Sequence, residues 1–291
     1  MTIQLATAPV SWGIMEETDS THWPTWQRVL DDIQALGFDG TELGPYGFYP
    51  TDAGQLRAEL TRRHLTLTSA FVPIGLFNPA RQEADIQLAR HVAALLRALD
   101  CPYIVLADAM KPPDAPEPDR PAWEKAARLM ESLAREFRQM GLDTVFHLEA
   151  GSQLETPAHM DLLAELTDPA LVGICLDTGH HAYSGGDPRQ AIAKHGGRIR
   201  YVHLKDLNKS VARRVQTEGL DFYKAVNMGI FPPVGSGDVD IAGVIGDLRA
   251  LGYDGWIVVE QDTLGTHDAA GRTPFEAVGI SRRYLKETLG L

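Results

Sequence analysis

LVGICLDTGHHAYSGGDPRQAIAKHGGRIRYVHLKDLN, residues 171–208, holds two short apolar runs, and each stops on a side chain that can bind a cation. Gly173-Ile174-Cys175-Leu176 runs into Asp177, and Ile199-Arg200-Tyr201-Val202 runs into His203. Short, mostly apolar or β-branched runs bounded by glycine and polar clusters read as strands covered on both faces, as in a parallel sheet. Between them Asp187 to His195 reads as a helix, with Asp187 as N-cap and Pro188 at the first position, where a missing N–H costs nothing. The stretch is therefore strand, helix, strand. Two parallel strands joined this way end at the same edge of the sheet, where α/β folds place their chemistry. Asp177 and His203 are expected to project into one site.

Working outward, the alternation continues in both directions. Upstream, a strand from Ile3 runs into a loop by Trp12, a helix spans Trp23 to Leu36, and a strand covers Gly40 to Leu43. Then come a helix over Ala53 to His64, a strand over Leu65 to Val72, a helix over Glu83 to Leu99 and a strand over Tyr103 to Ala107. Lys111 to Pro121 is too rich in proline for a helix or central strand and reads as an exposed loop. A helix over Ala122 to Met140, a strand over Thr144 to Leu148 ending at Glu149, and a helix over Pro157 to Leu166 lead back to the opening stretch. Downstream lies an excursion, Lys205 to Gly237, with a helical pattern near Gly219 to Val226. Asp240 to Leu251 then reads as a helix, Trp256 to Val259 as a strand ending at Glu260, and Pro274 to Leu289 as a closing helix. Strand-helix pairing sustained this long predicts one α/β domain over residues 1–291, a closed (β/α)8 TIM barrel. An internal echo agrees with this: Leu36-Gly37-Phe38-Asp39-Gly40 recurs as Leu251-Gly252-Tyr253-Asp254-Gly255, each placed for glycine to end a helix before the next strand.

Composition narrows the function. The 291 residues are 44% hydrophobic and 23% charged, as expected for an enzyme-sized globule. With 27 basic against 39 acidic residues the formal charge is -12, which argues against a nucleic-acid or anionic-membrane surface. Acidic residues gathered in a cleft instead suit a divalent cation. Cys101 and Cys175 both sit in apolar contexts and read as buried thiols rather than a disulfide or a zinc finger. Met1 to Leu5 shows no basic leader region, and no apolar run reaches membrane-spanning length, so the expected compartment is the cytoplasm.

Four predicted strands end on metal-type ligands: Glu149 after the fifth, Asp177 after the sixth, His203 after the seventh and Glu260 after the eighth. Adjacent strands lie about 4.8 Å apart, close enough for such side chains to converge. Three carboxylates and one imidazole suit Mn²⁺, Co²⁺ or Mg²⁺ better than structural zinc. Each residue also has a blander reading, as an N-cap or a loop ion pair; four on successive strands make that harder to sustain. His180, three residues beyond Asp177, is a candidate acid or a cap. Lys205 shares the strand face of His203, where its ammonium can polarise a carbonyl or protonate a leaving hydroxyl; otherwise it pairs with Asp206 in solvent. Glu42, ending the second strand, faces the same mouth or bridges to a loop arginine. Trp12, Tyr46 and Phe48 can wall a sugar-like ring or merely pack. His91 and His159 lie on helical patterns and read as structural. The pair His180-His181 lacks HExxH spacing.

These residues sit within motifs: Ala8-Pro9-Val10-Ser11-Trp12-Gly13, Gly40-Thr41-Glu42-Leu43-Gly44-Pro45, Leu176-Asp177-Thr178-Gly179-His180, Val202-His203-Leu204-Lys205-Asp206, and Gly237-Asp238-Val239-Asp240 with Glu260-Gln261-Asp262. Together they resemble the xylose-isomerase-like sugar isomerase/epimerase barrels over nearly the whole chain, and are most similar to the inosose dehydratase (2-keto-myo-inositol dehydratase) branch. The resemblance implies a divalent metal on Glu149, Asp177, His203 and Glu260. One departure stands out. Where inosose dehydratases carry a His-Pro-His segment on the fifth strand, this chain has His147-Leu148-Glu149, followed by Glu155-Thr156. Epimerase relatives bind metal at the Glu149 position and touch substrate at Glu155, whereas the dehydratase pattern allows Glu155 itself as ligand.

The implied reaction is dehydration of a cyclic polyhydroxy ketone by a divalent-metal-dependent hydro-lyase. The ion takes the ketone oxygen and a neighbouring hydroxyl, and Glu149, Glu155 or Glu260 removes the α-proton to give an enediolate. The β-hydroxyl then leaves as water, with His180 or Lys205 as acid. An isomerase or epimerase of sugars or sugar phosphates shares the first half and returns the proton elsewhere. An apurinic endonuclease shares barrel and metal type, but the charge of -12 counts against it. A barrel that binds sugars without turnover is the non-enzymatic alternative. The expected partner is a small polyhydroxylated carbonyl compound, with no nucleic acid and no membrane; a homo-oligomer is compatible with the sequence, which does not set the number of copies.

Overall fold

A computed structural model of the chain describes residues 3–15, 19–112 and 114–291. The leader-free reading of Met1 and Thr2 and the loop assignment of Pro113 lie outside the described residues. Among the described residues nine parallel strands form the sheet: β1 (Gln4–Thr7), β2 (Gly40–Thr41), β3 (Thr66–Leu67), β4 (Phe71–Ile74), β5 (Tyr103–Asp108), β6 (Asp143–His147), β7 (Val172–Asp177), β8 (Ile199–Leu204) and β9 (Trp256–Val259). Their order is β3-β2-β1-β9-β8-β7-β6-β5-β4. The two ends of that order belong to one stretch of chain, residues 66–74. Leu43 donates its N–H to Ser69 O (3.0 Å) on one side of the stretch, and Val105 donates to Ala70 O (2.9 Å) on the other. The order thus closes on itself, and the sheet is the expected TIM barrel, with its third stave split in two.

The helices outside the barrel are α1 (Trp26–Ala35), α2 (Ala53–Arg62), α3 (Pro79–Ala98), α4 (Arg120–Gln139), α5 (Pro157–Leu166) and α6 (Thr178–Tyr183). They continue with α7 (Pro188–His195), α8 (Lys209–Glu218), α9 (Phe222–Asn227), α10 (Ile241–Leu251) and α11 (Pro274–Leu289). Asp187 caps α7 through the Arg189 N–H with Pro188 at its start, as the sequence predicts. Gly37 (φ +75°) and Gly252 (φ +79°) hold the left-handed conformation in the repeated pentapeptide, which a side chain adopts at a cost. The helical pattern near Gly219 to Val226 resolves differently. Asn208 caps an unexpected helix, α8; Gly219, left-handed at φ +61°, ends it, and Asp221 starts α9. Asp177 caps α6, the other helix not anticipated, through the His180 N–H. α3 begins at Pro79, capped by Asn78, four residues before the expected start.

Strand alternation sorts the core. Leu5, Ile104, Leu106, Phe146, Ile174, Leu176, Val202 and Val259 pack against the helices, while Ala6, Val105, Val145, Cys175, Tyr201 and Val258 fill the barrel interior. A period of two then places His147, Asp177, His203 and Glu260 on the inward phase, one step beyond the interior layer at the C-terminal mouth. Cys101 and Cys175 are buried free thiols. Among the described residues no helix is long and apolar enough to cross a membrane.

Asp206, fully buried beside this mouth, fixes the 235–239 loop by accepting the N–H groups of Leu207, Gly235, Gly237 and Val239 (2.8–3.0 Å). Asp206→Ala is expected to cost about 2–4 kcal/mol in urea unfolding, because it removes four hydrogen bonds to one buried carboxylate at once. A change below about 0.5 kcal/mol, the range of an ordinary surface substitution, would refute this role.

Candidate active site

The inward residues of β6 to β9 and Glu42, which follows β2, meet in one cavity. Its polar floor holds Glu42, His147, Glu149, His203, Lys205, Glu260 and Asp262. Asp177 lies beneath them, 2% exposed. The walls are apolar, formed chiefly by Val10, Ile14, Phe71, Met110, Phe222 and Tyr223. Phe222 and Tyr223 come from α9, so the excursion after β8 supplies one side of the cavity. Trp12, Tyr46 and Phe48 do not line it: Trp12 donates its indole N–H to Asp32 (3.1 Å), Phe48 packs on Trp23 and Tyr49, and Tyr46 is exposed. Trp12 is drawn outward to Asp32 on α1 from the turn after β1, and the loop after β2 turns Phe48 against Trp23 and leaves Gly44 and Pro45 at the mouth.

Two groups of ligand-type atoms lie within 4.8 Å of one another: those of His147, Asp177 and His203, and those of Glu42, His203 and Glu260. His203 belongs to both. Its Nε2 lies 2.9 Å from Glu42 Oε1, and since a carboxylate only accepts, Nε2 carries the proton. Nδ1 is left without a hydrogen-bond partner, 3.3 Å from Glu260 Oε2 and 3.9 Å from Asp177 Oδ2. Burial opposes charge on this ring, but Cys175, Glu260 and Glu42 raise its pKa well above the usual value, so with no cation present Nδ1 also carries a proton toward these oxygens; a divalent cation takes the place of that proton and converts the same three atoms into a ligand set. The Glu42 contact is the outer hydrogen bond that fixes tautomer and ring orientation in metal-binding histidines. His147 approaches from the other side, its Nε2 3.4 Å from Asp177 Oδ2. Burial pushes the His147 pKa down to about 4 despite Asp177, so the ring is neutral and able to bind a cation. Glu42, Asp177, Glu260 and Asp262 are all buried, and Lys205 reaches the last three, a concentration of carboxylates that suits a divalent ion.

Asp177 divides its work. Oδ1 accepts the His180 N–H at 2.7 Å as the α6 cap, while Oδ2 faces His147, His203 and Lys205. The capping and ligand readings of this residue are therefore compatible. Burial works against its charge, but Lys205, His180 and His147 hold its carboxyl well below the usual range. For Glu260, His203 and Lys205 overcome burial and hold the pKa at about 2. Glu149 is the exception: burial pushes it up to about 7, and His180 and Lys205 only partly offset this.

β6 ends at His147, one residue short of the expected strand, so Glu149 sits on the loop beyond the strand tip. Its carboxylate lies 3.4 Å from His147 Nδ1 and outside both ligand groups. Glu155 lies farther out. It accepts the Gly151 N–H (3.1 Å), faces Lys111 (3.5 Å) and does not line the cavity. Glu155→Gln is accordingly expected to change bound metal and turnover by less than about threefold, the scale of one exposed ion pair. A larger loss of either would return Glu155 to the site.

Lys205 is 2% exposed and does not pair with Asp206; its ammonium lies 2.8 Å from Asp262, 3.2 Å from Glu260 and 3.3 Å from Asp177. Burial opposes the charge, yet these carboxylates raise the pKa well above the usual value, so Lys205 stays charged. His180 is engaged at both nitrogens. Nδ1 accepts the Ala150 N–H (3.0 Å), Nε2 faces Asp262 (3.5 Å), and the ring lies against Phe222 and Phe231. It lines the cavity and links the Glu149 loop to the loop after β9. His159 closes a capping box with Thr156, the structural role read for it, and His91 is exposed on α3. Sequence reasoning passed over His147 as a ligand although it lies two residues before Glu149, in the same alternation as the strand-tip residues. It also left Asp262 without a role and did not single out Asp108, which lines the cavity at the end of β5.

Comparison with known proteins places this geometry. Residues 30–287 match the model of the family described as xylose isomerase-like TIM barrel. An inosose dehydratase of Lacticaseibacillus casei is 30% identical over 301 residues, covering 100% of this chain and 99% of the relative. Among solved structures, the "probable 3-DHS dehydratase AsbF" of Bacillus anthracis superposes with TM-score 0.74 at 17% identity, covering 98% of this chain and 100% of that one. The IOLI protein, solved with a bound zinc atom, superposes with TM-score 0.72 at 13% identity over 98% of this chain and 97% of its own.

Proposed function

The chain belongs to the xylose isomerase-like TIM barrel family, and from that premise we propose that it is a divalent-metal-dependent hydro-lyase that dehydrates a cyclic polyhydroxy ketone of the inosose type. One observation carries the reading: His203 Nδ1, unpartnered and buried, faces the Asp177 and Glu260 oxygens at the floor of an apolar-walled cavity. Relatives that span the full chain and are named inosose dehydratase support the substrate class.

Asp177, His203 and Glu260 hold the ion, with His147 as the fourth donor and Glu42 orienting His203. Such an ion supplies Lewis-acid charge that polarises a ketone and acidifies the adjacent C–H. The chain's own residues do the rest. Glu149, on the loop above His147, takes the α-proton; burial raises its pKa to about 7, where a carboxyl changes protonation state readily. Lys205 keeps its positive charge beside the site and stabilises negative charge developing on a substrate oxygen. Its raised pKa makes it a donor of hydrogen bonds more than of protons. Phe71, Phe222 and Tyr223 cover the carbon face of a ring and exclude water. Glu149 then returns the proton it took from the α-carbon to the departing β-hydroxyl, so that the substrate gives an unsaturated ketone and one water and Glu149 is again a carboxylate.

The test is an assay with Mn²⁺, Co²⁺ or Mg²⁺ on 2-keto-myo-inositol and a panel of ketohexoses, read by ultraviolet absorbance and product NMR. A conjugated product lighter by one water is expected. A mass-neutral product would assign the chain to isomerisation or epimerisation, and absence of turnover with every ion would overturn the enzymatic reading.

A further inference from the structure

We propose that Asp108 is a positioning residue of this site: from the tip of β5, its carboxylate clamps the loop that carries Glu149. The inference rests on the reading of Glu149 as the base. Asp108 is 3% exposed. Its Oδ2 accepts the Gln153 N–H at 2.9 Å and its Oδ1 accepts the Leu76 N–H at 3.0 Å. Gln153 follows β6 and Leu76 follows β4, the two neighbours of β5 in the barrel. One side chain therefore ties three adjacent loops at the mouth.

The anchored loop has little slack of its own. Glu149 donates its N–H to Leu154 O (3.0 Å), Ser152 donates to Glu149 O (3.2 Å), and Leu154 donates to Ser152 Oγ (2.9 Å). Lys111 donates to Gly151 O (3.0 Å), and Met110 bridges to Ser152, so the same loop is laced to the residues that follow β5. In a loop this closely bonded, a shift at Gln153 is passed to the Glu149 backbone instead of being absorbed. Misplacing a proton-transfer group by about 1 Å costs on the order of 10²-fold in rate. Sequence gives no hint of this, because both partners of Asp108 are backbone N–H groups.

Asp108→Asn keeps size and one acceptor but turns an amide NH₂ against one of the two N–H donors. With the Mn²⁺-loaded protein and 2-keto-myo-inositol, kcat is expected to fall about 10- to 100-fold, with KM within about threefold and bound Mn²⁺ unchanged. Hydrogen exchange of the 148–155 amides is expected to quicken. Quicker exchange with unchanged kcat would show a purely structural clamp and overturn the proposal, as would a raised KM at unchanged kcat, the mark of a direct substrate contact. Should the variant fail to fold, the unsubstituted protein still decides: the Gln153 amide is expected to be protected from exchange, and exchange at the unprotected rate refutes the clamp. If Glu149→Gln retains full turnover while Gln153 stays protected, the clamp stands and the proposal falls through its premise, which separates the two failures.

Discussion

Asp177→Asn and His203→Ala are each expected to release the bound divalent ion and to lower turnover by on the order of 10³-fold, the several kcal/mol that a Lewis-acid ion contributes to such a reaction. Both residues belong to the set around His203 Nδ1, and both sit one step beyond the interior layer of the barrel, so the core survives their loss. Asparagine is the informative replacement at Asp177. It caps a helix about as well as aspartate, so α6 keeps the bond to the His180 N–H while the site loses a charged donor. His203→Ala leaves the Glu42 carboxylate buried without its 2.9 Å partner, and the melting temperature should fall even though circular dichroism remains that of the folded barrel. Metal analysis by mass spectrometry on the purified variants is the deciding measurement. A full equivalent of ion together with turnover in either variant would remove the proposed centre.

Glu149→Gln should separate base from ligand. With Glu149 as the base, the variant retains about one equivalent of metal while kcat falls by roughly 10²- to 10⁴-fold, the range that a positioned proton acceptor supplies. The expectation follows from where β6 stops: the strand places His147, not Glu149, beside Asp177, and leaves the Glu149 carboxylate 3.4 Å from the far nitrogen of that imidazole. Loss of metal in Glu149→Gln would show instead that Glu149 is the fifth-strand ligand, as the epimerase-like pattern of the sequence implies. His147→Ala completes the comparison, since the present assignment requires it to weaken metal binding.

The sequence by itself determined the barrel. Apolar runs that switch between covered strands and capped helices leave few alternatives when the pattern is kept over 291 residues. Cap chemistry, such as Asp187 with Pro188 and the twin Leu-Gly-aromatic-Asp-Gly segments, made the individual boundaries legible because it acts within a few residues. The same local logic exposed Asp177, His203 and Glu260, each at the point where an apolar strand runs out. Tertiary structure decided what local signals do not carry. A strand that ends one residue early puts His147, not Glu149, beside Asp177, and propensity alone does not fix ends that finely. Whether Lys205 faces Asp206 or three carboxylates on two other segments depends on barrel closure. Lys205, Asp177, Glu260 and Asp262 come from distant parts of the chain and meet only after the staves are joined. The surroundings of His180 were set in the same way: its Nδ1 accepts from the backbone of one loop and its Nε2 faces the carboxylate of another, contacts that exist only once those loops share the mouth of the barrel.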